Sequence, residues 1–356
     1  MSKKKTEVTE PVFDEDLLVD VLSQQSSMTD DTAMMLYLKA KIEEYGQTWE
    51  EDAYGNLYVT KGEASLYPCL VSHTDQVHQI HEKYAIFEVD RLLFAFDSKE
   101  GEQVGIGGDD LCGVSICLNA LKDLPAVKIV FFRFEETGCK GSRQAEMSFF
   151  DNCNIVLQPD RRGNGDFITN AVGVELSSVE FQKDIAEILD RHHYTITRGS
   201  TTDVMALKEK GLDVCACNIS CGYWAPHSDK EVVTIDDVAD CYDTLVEIID
   251  RCKGIKYSHI YRRPEVHVVN PTSRRDERDV LKTGSVQQLN IPFEASPYGI
   301  NPKMTHHMTP IVDVEGDDEN IEEYLEEIDI AIGDLRSTVE DYIEARMRSK
   351  EFSGRI

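Results

Sequence analysis

Between residues 13 and 253 the apolar positions follow two rhythms. Short apolar runs of strand length stop at turn residues. Between them, apolar positions recur at three- and four-residue steps, the spacing of one helix face. After Thr29-Asp30, which resembles a helix cap, Met35, Leu38, Ile42 and Tyr45 predict a helix that Gly46 stops. Residues 48–59 read as two strands around a tight turn, Asp52-Ala-Tyr-Gly55-Asn56. Tyr67-Pro-Cys-Leu-Val71 predicts a strand, and residues 84–97 alternate as a hairpin. The glycine-rich turn Gly105-Ile-Gly-Gly-Asp109-Asp110 opens a helix that reaches to near Leu121. Val127-Lys-Ile-Val-Phe-Phe-Arg-Phe134 is the most strand-like run. Strands at 154–157 and 214–220, with helices near 177–190, 202–210 and 235–250, complete the series.

Strands that alternate with helices predict an α/β fold. Its centre would be a mostly parallel sheet with helices on both faces, a three-layer α/β/α arrangement. Residues 1–12 read as a disordered tail and residues 13–253 as one α/β domain. The texture changes in an irregular extension at 254–318, which holds prolines, basic residues and His306-His307. Residues 319–348 predict an acidic amphipathic helix. In it Ile321, Leu325, Ile328, Ile332, Leu335, Val339 and Tyr342 step by four and three, a heptad seam. That seam would pack either on the body or against a second copy, making a homo-oligomer.

The chain has 356 residues and a net charge of −29. Such a surface repels nucleic acid and anionic lipid. No apolar run is long enough to span a membrane, and the basic start lacks the apolar stretch of a secretory signal. A cytoplasmic setting with reduced thiols is therefore expected for the ten cysteines. Cys215, Cys217 and Cys221 suggest either a zinc site or one buried strand face, and burial is the plainer reading. A serine-hydrolase elbow and a P-loop are both missing, and Gly105-x-Gly107 lacks the rest of a dinucleotide fingerprint.

The chemistry gathers at strand ends. His73 and Asp75 follow one strand and, two residues apart, share a face. A carboxylate there can hold one imidazole nitrogen while the other binds a metal. Asp109-Asp110 opens a helix, where an Asp reads first as a cap and second as a ligand. Glu135-Glu136 follows a buried strand, a costly place for two acids unless they are paired or bound to metal. Asp160 and His227 follow two further strands; each alone reads as an ordinary loop residue. In open α/β sheets ligands gather at the carboxyl ends of the strands. The ordered set makes a two-metal hydrolase the leading reading.

As an ordered series these residues resemble the zinc-dependent exopeptidase superfamily, which includes peptidase T and the glutamyl and leucyl aminopeptidases. The matching pieces are Asp52-Ala-Tyr-Gly-Asn56, His73-Thr-Asp75, Gly107-Gly-Asp109-Asp110, Glu135-Glu136-x-Gly138 with Gly141-Ser142, Asp160, Thr202-Asp203 and His227-Ser228-x-x-Glu231. They span about residues 30–252. The resemblance implies two divalent ions, zinc first, with cobalt or manganese also compatible. His73 and Asp160 would serve one ion, Glu136 and His227 the other, and Asp109 would bridge. It also implies a cis Asp109–Asp110 peptide, Glu135 as general base, Asp75 as the residue that orients His73, and Asp203 and Tyr223 in the substrate pocket. The implied activity is that of an aminopeptidase on short peptides. An N-acyl amino-acid deacylase and a catalytically silent binding protein of the same fold are the alternatives. Only 33 residues separate Asp75 from Asp109 and 66 separate Asp160 from His227, so no inserted lid domain is expected. Without a lid there is no lid arginine to grip a substrate carboxylate, which disfavours carboxypeptidase and dipeptidase activity.

Overall fold

A computed structural model describes residues 11–262 of the chain. Two helices open it, α1 (Glu15–Leu22) and α2 (Thr32–Glu44). Asp14 caps α1 by accepting the Leu17 N–H at 3.1 Å. Asp30 accepts the Thr32 N–H at 3.0 Å, so the predicted start of α2 is found. Asp31, next to that helix, commits its buried carboxylate elsewhere, to Arg133 and to the Thr74 hydroxyl.

The strands β1 (Trp49–Glu51), β2 (Leu57–Lys61) and β3 (Tyr67–His73) come next. Then come β4 (Tyr84–Val89), β5 (Leu92–Asp97), β6 (Glu102–Val104) and α3 (Gly108–Asp123). β7 (Val127–Phe132), the short α4 (Lys140–Gln144), β8 (Cys153–Arg161), β9 (Asp166–Ala171) and β10 (Val174–Glu175) follow. The described chain closes with α5 (Val179–Arg191), β11 (Thr195–Gly199), α6 (Asp203–Glu209), β12 (Cys215–Ser220), β13 (Tyr223–Trp224), β14 (Val232–Thr234) and α7 (Ile235–Arg251).

Nine strands form the main sheet, in the order β1-β2-β7-β3-β8-β12-β9-β10, with β11 also paired to β9. Its centre, β7-β3-β8-β12, is parallel, as expected. Both margins turn antiparallel, at β1-β2-β7 on one side and β12-β9-β10 on the other. β7 and β8 follow β3 in the chain but lie on opposite sides of it. Their carboxyl ends therefore open a crevice around the end of β3, the place where such sheets bind ligands.

Alternation along the central strands builds two cores. Leu70, Ile129, Phe131, Ile155 and Leu157 face α1, α2, α3, α5 and α7. Cys69, Val71, Val130, Phe132 and Val156 face the other way, onto α6 and Phe150. Each strand is thus apolar on both faces, the pattern expected for a covered parallel sheet. The helical cover is uneven, heavy on one face and thin on the other. All ten cysteines are buried and free, with Cys215 and Cys217 together in the larger core.

A second sheet departs from the expected plan. β13-β14-β5-β4, with β6 against β5, forms a five-stranded antiparallel sheet with its own aromatic cluster, Phe87, Phe94 and Phe96. Sequence pattern showed only the 84–97 hairpin of it. The segment between Asp75 and Asp109 is therefore an inserted antiparallel meander rather than a plain connection. β13 and β14 are too short to show alternation, and pairing of β13 with β14 and of β14 with β5 is what makes them strands.

The chain packs on the body past residue 253. Tyr257 is buried in the main core, and Ser258 bridges Val214. The first ten residues of the expected tail and most of the 254–318 extension lie outside the described residues. So do the acidic helix at 319–348 and the oligomer contact assigned to it. Among the described residues no helix is long and apolar enough to cross a membrane.

Candidate metal centre

His73 is the last residue of β3 and is almost fully buried. Its Nε2 lies 3.2 Å from Asp109 Oδ1 and 3.7 Å from Asp160 Oδ1. Its Nδ1 lies 3.0 Å from the main-chain carbonyl of Asp75, which favours a proton on that nitrogen and turns Nε2 to the acids. The Asp75 carboxylate is farther from the ring, at 3.6 Å. It instead accepts the backbone N–H groups of Glu135 at 2.8 Å and Glu136 at 3.2 Å.

The two aspartates in the opening turn of α3, neither with helical φ/ψ, divide the cap and ligand readings between them. Asp110 accepts the Gly113 N–H at 3.1 Å and the Ser72 hydroxyl at 2.6 Å, so it caps α3 and ties it to β3. Asp109 faces the crevice, with Oδ1 toward His73 and Oδ2 3.3 Å from His227 Nε2. The peptide between them is cis. Buried Glu231 holds this loop by accepting the N–H groups of Gly107 at 2.9 Å and Asp109 at 3.0 Å, and it pairs with His78 at 2.7 Å. Gly113 is needed here because a Cβ would fall 2.3 Å from Asp110 Oδ1 and 2.4 Å from the Pro159 carbonyl.

β7 ends at Phe132, two residues earlier than expected. Phe134 then takes a left-handed conformation with φ of 59°, which turns the chain before Glu135. Glu136 Oε1 lies 3.0 Å from His227 Nε2. Glu135 stands apart from both histidines and accepts a contact from the Cys139 thiol at 3.2 Å. Asp160 is not a loop residue: β8 runs to Arg161, and Asp160 belongs to its carboxyl end. Asp160 accepts hydrogen bonds from Gln158 at 2.8 Å and from the Tyr223 hydroxyl at 3.3 Å. His227 is delivered by the β13–β14 hairpin of the small sheet rather than by the end of β12, and its side chain is half-exposed.

The remaining predicted residues separate. Tyr223 lines the cleft. Asp203 does not; it is fully buried behind the centre and accepts hydrogen bonds from Ser142 and Gln158. The Asp52–Asn56 turn is a brace. The Asp52 carboxylate gathers three backbone N–H groups and the Tyr58 hydroxyl, while Asn56 ties Gly141 to Arg133 below the Glu135 loop.

Charge is strongly frustrated here. Burial pushes Glu135 up to about 9 and Asp160 up to about 7. Burial also pushes Asp203 up to about 6. Burial opposes charge on Asp109 as well, yet hydrogen bonds from His227 and His73 outweigh it and hold Asp109 below the carboxylate range. Asp109 and Glu136 raise His227 to about 10. Burial opposes charge on His73 too, but Asp109, Asp160 and Asp75 raise it well above the usual imidazole value.

The donor set fits divalent ions. Ligand atoms of His73, Asp109 and Glu136 lie within 4.8 Å of one another, as do those of His73, Asp110 and Asp160. Imidazole nitrogen with carboxylate oxygen suits zinc and its first-row neighbours. In the second group Asp110 is already engaged by Ser72 and Gly113, which leaves His73 and Asp160 as its accessible members. These groups open on a cleft of about 450 Å³ lined by Asp109, Glu135, Glu136, Asp160, Tyr223 and His227. Arg161, Arg162 and Asn218 also line it, and sequence reading passed over all three. Extending the 154–157 strand by four residues would have ended it on Arg161, with Asp160 inside it and Arg162 next in the chain. His78 carried no signal, and Glu231 stood in the quoted motif without a role.

The fold defines a class: the main sheet with its helices is a fold shared with metallo-aminopeptidases. Aminopeptidase PepT from Bacillus cereus superposes with a TM-score of 0.55 at 12% identity, over 67% of this chain and 99% of that one. A tripeptidase from Staphylococcus aureus matches with a TM-score of 0.53 at 13% identity, over 68% and 99%. An aminopeptidase from the archaeon Desulfurococcus kamchatkensis matches with a TM-score of 0.51 at 16% identity, over 68% and 97%. No family model matches the sequence, and no curated protein does. At these identities the likeness is one of fold.

Proposed function

We propose that this chain is a metal-dependent exopeptidase, an aminopeptidase acting on short peptides. One observation carries the reading: the two oxygens of Asp109 face two different histidines, His73 and His227, as a bridging carboxylate would. In this reading His73 and Asp160 would hold one divalent ion and Glu136 and His227 the other, with zinc, cobalt or manganese suited to both. Two such ions would supply an activated water and polarise the carbonyl under attack. Glu135 would take the proton from the attacking water and return it to the leaving nitrogen. Asp75 holds the backbone that carries Glu135, and Tyr223 stands beside Asp160 at the wall where substrate would lie. Asp203 supports the site from behind.

The same residues would serve an N-acyl amino-acid deacylase, and the substrate's N-terminus separates the two. The purified full chain, supplied with zinc, cobalt or manganese, should release the first residue from peptides with free N-termini and spare their acetylated counterparts. Cleavage of the acetylated series alone would transfer the reading to the deacylase. Hydrolysis of neither series with any of the three metals would sink it.

A further inference from the structure

One wall of the cleft carries chemistry that the metal centre does not use. Arg161 ends β8, Arg162 follows it, and both line the cleft together with Thr201 and Asn218. Apart from Asp109, Glu135, Glu136 and Asp160, no carboxylate among the described residues lines it. The wall therefore offers hydrogen-bond donors and two guanidinium groups, one of them paired with Asp166, in a chain whose net charge is −29.

Arg161 is oriented in advance. Its Nε and Nη2 both donate to Asp166 Oδ2 at 3.1 Å, which sets the plane of the guanidinium and leaves Nη1 outside the pair. The backbone is pinned as well. Ser220 Oγ accepts the Asp166 N–H at 3.1 Å and donates to the Arg162 carbonyl at 2.8 Å. A guanidinium held this way loses little freedom when it meets an anion, and its planar fork matches a carboxylate. Absence of a lid arginine had argued against substrates gripped by a carboxylate. Here a strand end supplies arginines to the same cleft without a lid.

We infer that Arg161 and Arg162 receive a carboxylate of the substrate. It would be either an acidic side chain or the free terminal carboxylate of a very short peptide. The inference rests on the peptidase reading for which bond is broken, but not for binding.

Two measurements on the full chain test it: equilibrium binding to metal-loaded E135Q, and hydrolysis by the unsubstituted protein. Each uses matched pairs, Glu against Gln in the side chain, and free carboxylate against amide at the C-terminus. One pair should show a preference of roughly tenfold or more for the carboxylate member, the scale of one charge-assisted hydrogen bond. Which pair shows it identifies the source. R161A and R162A, each made in the E135Q background, should bring the carboxylate ligand down toward the affinity of its neutral partner. R161K should keep part of the preference. Equal binding within both pairs would overturn the inference, as would a preference that survives loss of both arginines. The pairs can be compared without touching either arginine, so a variant that fails to fold does not remove the test. Selective binding with no hydrolysis would uphold this inference and sink the peptidase reading. Hydrolysis without selectivity would do the reverse.

Discussion

Asp75 holds the backbone of Glu135 more closely than it holds the ring of His73. Its carboxylate accepts the Glu135 N–H at 2.8 Å, and its closest approach to His73 Nδ1 is 3.6 Å. The residue expected to orient a metal ligand thus chiefly positions the proposed base, and the imidazole leans on its main-chain carbonyl instead.

Asp75→Asn removes one acceptor and sets an amide NH₂ against a backbone N–H. We expect kcat to fall roughly 10–100-fold, the range for lost supporting contacts at metal centres. Stability should fall by about 1–3 kcal/mol, the cost of an unsatisfied buried group. Metal content should stay unchanged, because His73 keeps its carbonyl contact. Kinetics, metal analysis and thermal melts on one preparation separate these effects; loss of metal would restore the ring-holding role.

Glu135→Gln keeps the side chain's shape and removes its proton chemistry. Hydrolysis should drop on the order of 10²–10⁴-fold, the usual share of a general base. Metal binding should persist, since Glu135 lies in neither ligand group. A variant that lost its metal would place Glu135 among the ligands.

Stability without metal should depend on pH in a definite direction. Glu135 at about 9, Asp160 at about 7 and His227 at about 10 all bind protons more tightly in the folded chain than in the unfolded one. Each such contribution is complete below the unfolded pKa and is lost as pH rises through the folded one. Asp109 has the opposite sign, but it acts only in the acid range below its ordinary 3.8. With chelator present, the melting temperature should therefore fall between about pH 6 and about pH 9. Metal binds deprotonated ligands, so the rise it causes should be larger at the upper end of that range. At 100 times its dissociation constant one ion adds about 2.7 kcal/mol. Melts with and without added zinc check both statements; a flat profile without metal would contradict the charge assignment.

Gly113→Ala would place a methyl against Asp110 Oδ1 and the Pro159 carbonyl, where α3 meets β8. Overpacking of this kind costs about 1–3 kcal/mol. Because Asp110 cannot shift without moving Asp109, metal affinity should fall along with the melting temperature. Titration of metal into the variant measures it; unchanged affinity would show that the loop absorbs the strain.

Much of the central layer was legible in the sequence. The runs at 67–71, 127–134 and 214–220 are apolar at successive positions, which marks strands covered on both faces. The helices near 177–190, 202–210 and 235–250 announce themselves by period, and each forms close to its predicted bounds. α1, β9, β10, β11 and the strands of the small sheet outside its 84–97 hairpin were not foreseen. Their segments are short or weakly patterned, and they are ordered by partners distant in the chain.

The candidate site divides along the same line. Sequence alone drew attention to the acids and histidines that follow apolar runs, because burial demands such runs and a charged residue interrupts them. Hence His73, Asp109, Glu135, Glu136, Asp160 and His227 could be named as candidates, with their separate roles implied by the family resemblance. Tertiary structure decided which member of each acidic pair faces the crevice. Asp109 does so, while Asp110 turns to cap α3; Glu136 meets His227, while Glu135 stays clear. It also decided that Asp75 serves the glutamates, that Asp203 lies behind the site and that a hairpin of the small sheet brings His227 in. The arginine wall likewise appeared only once β8 was seen to run on through Arg161. The physical reason is common to all of these. A side chain's periodicity is written into its own segment, but its direction past a strand end depends on local turns. What it meets there depends on strands adjacent in space rather than in sequence, as β7 and β8 are on either side of β3.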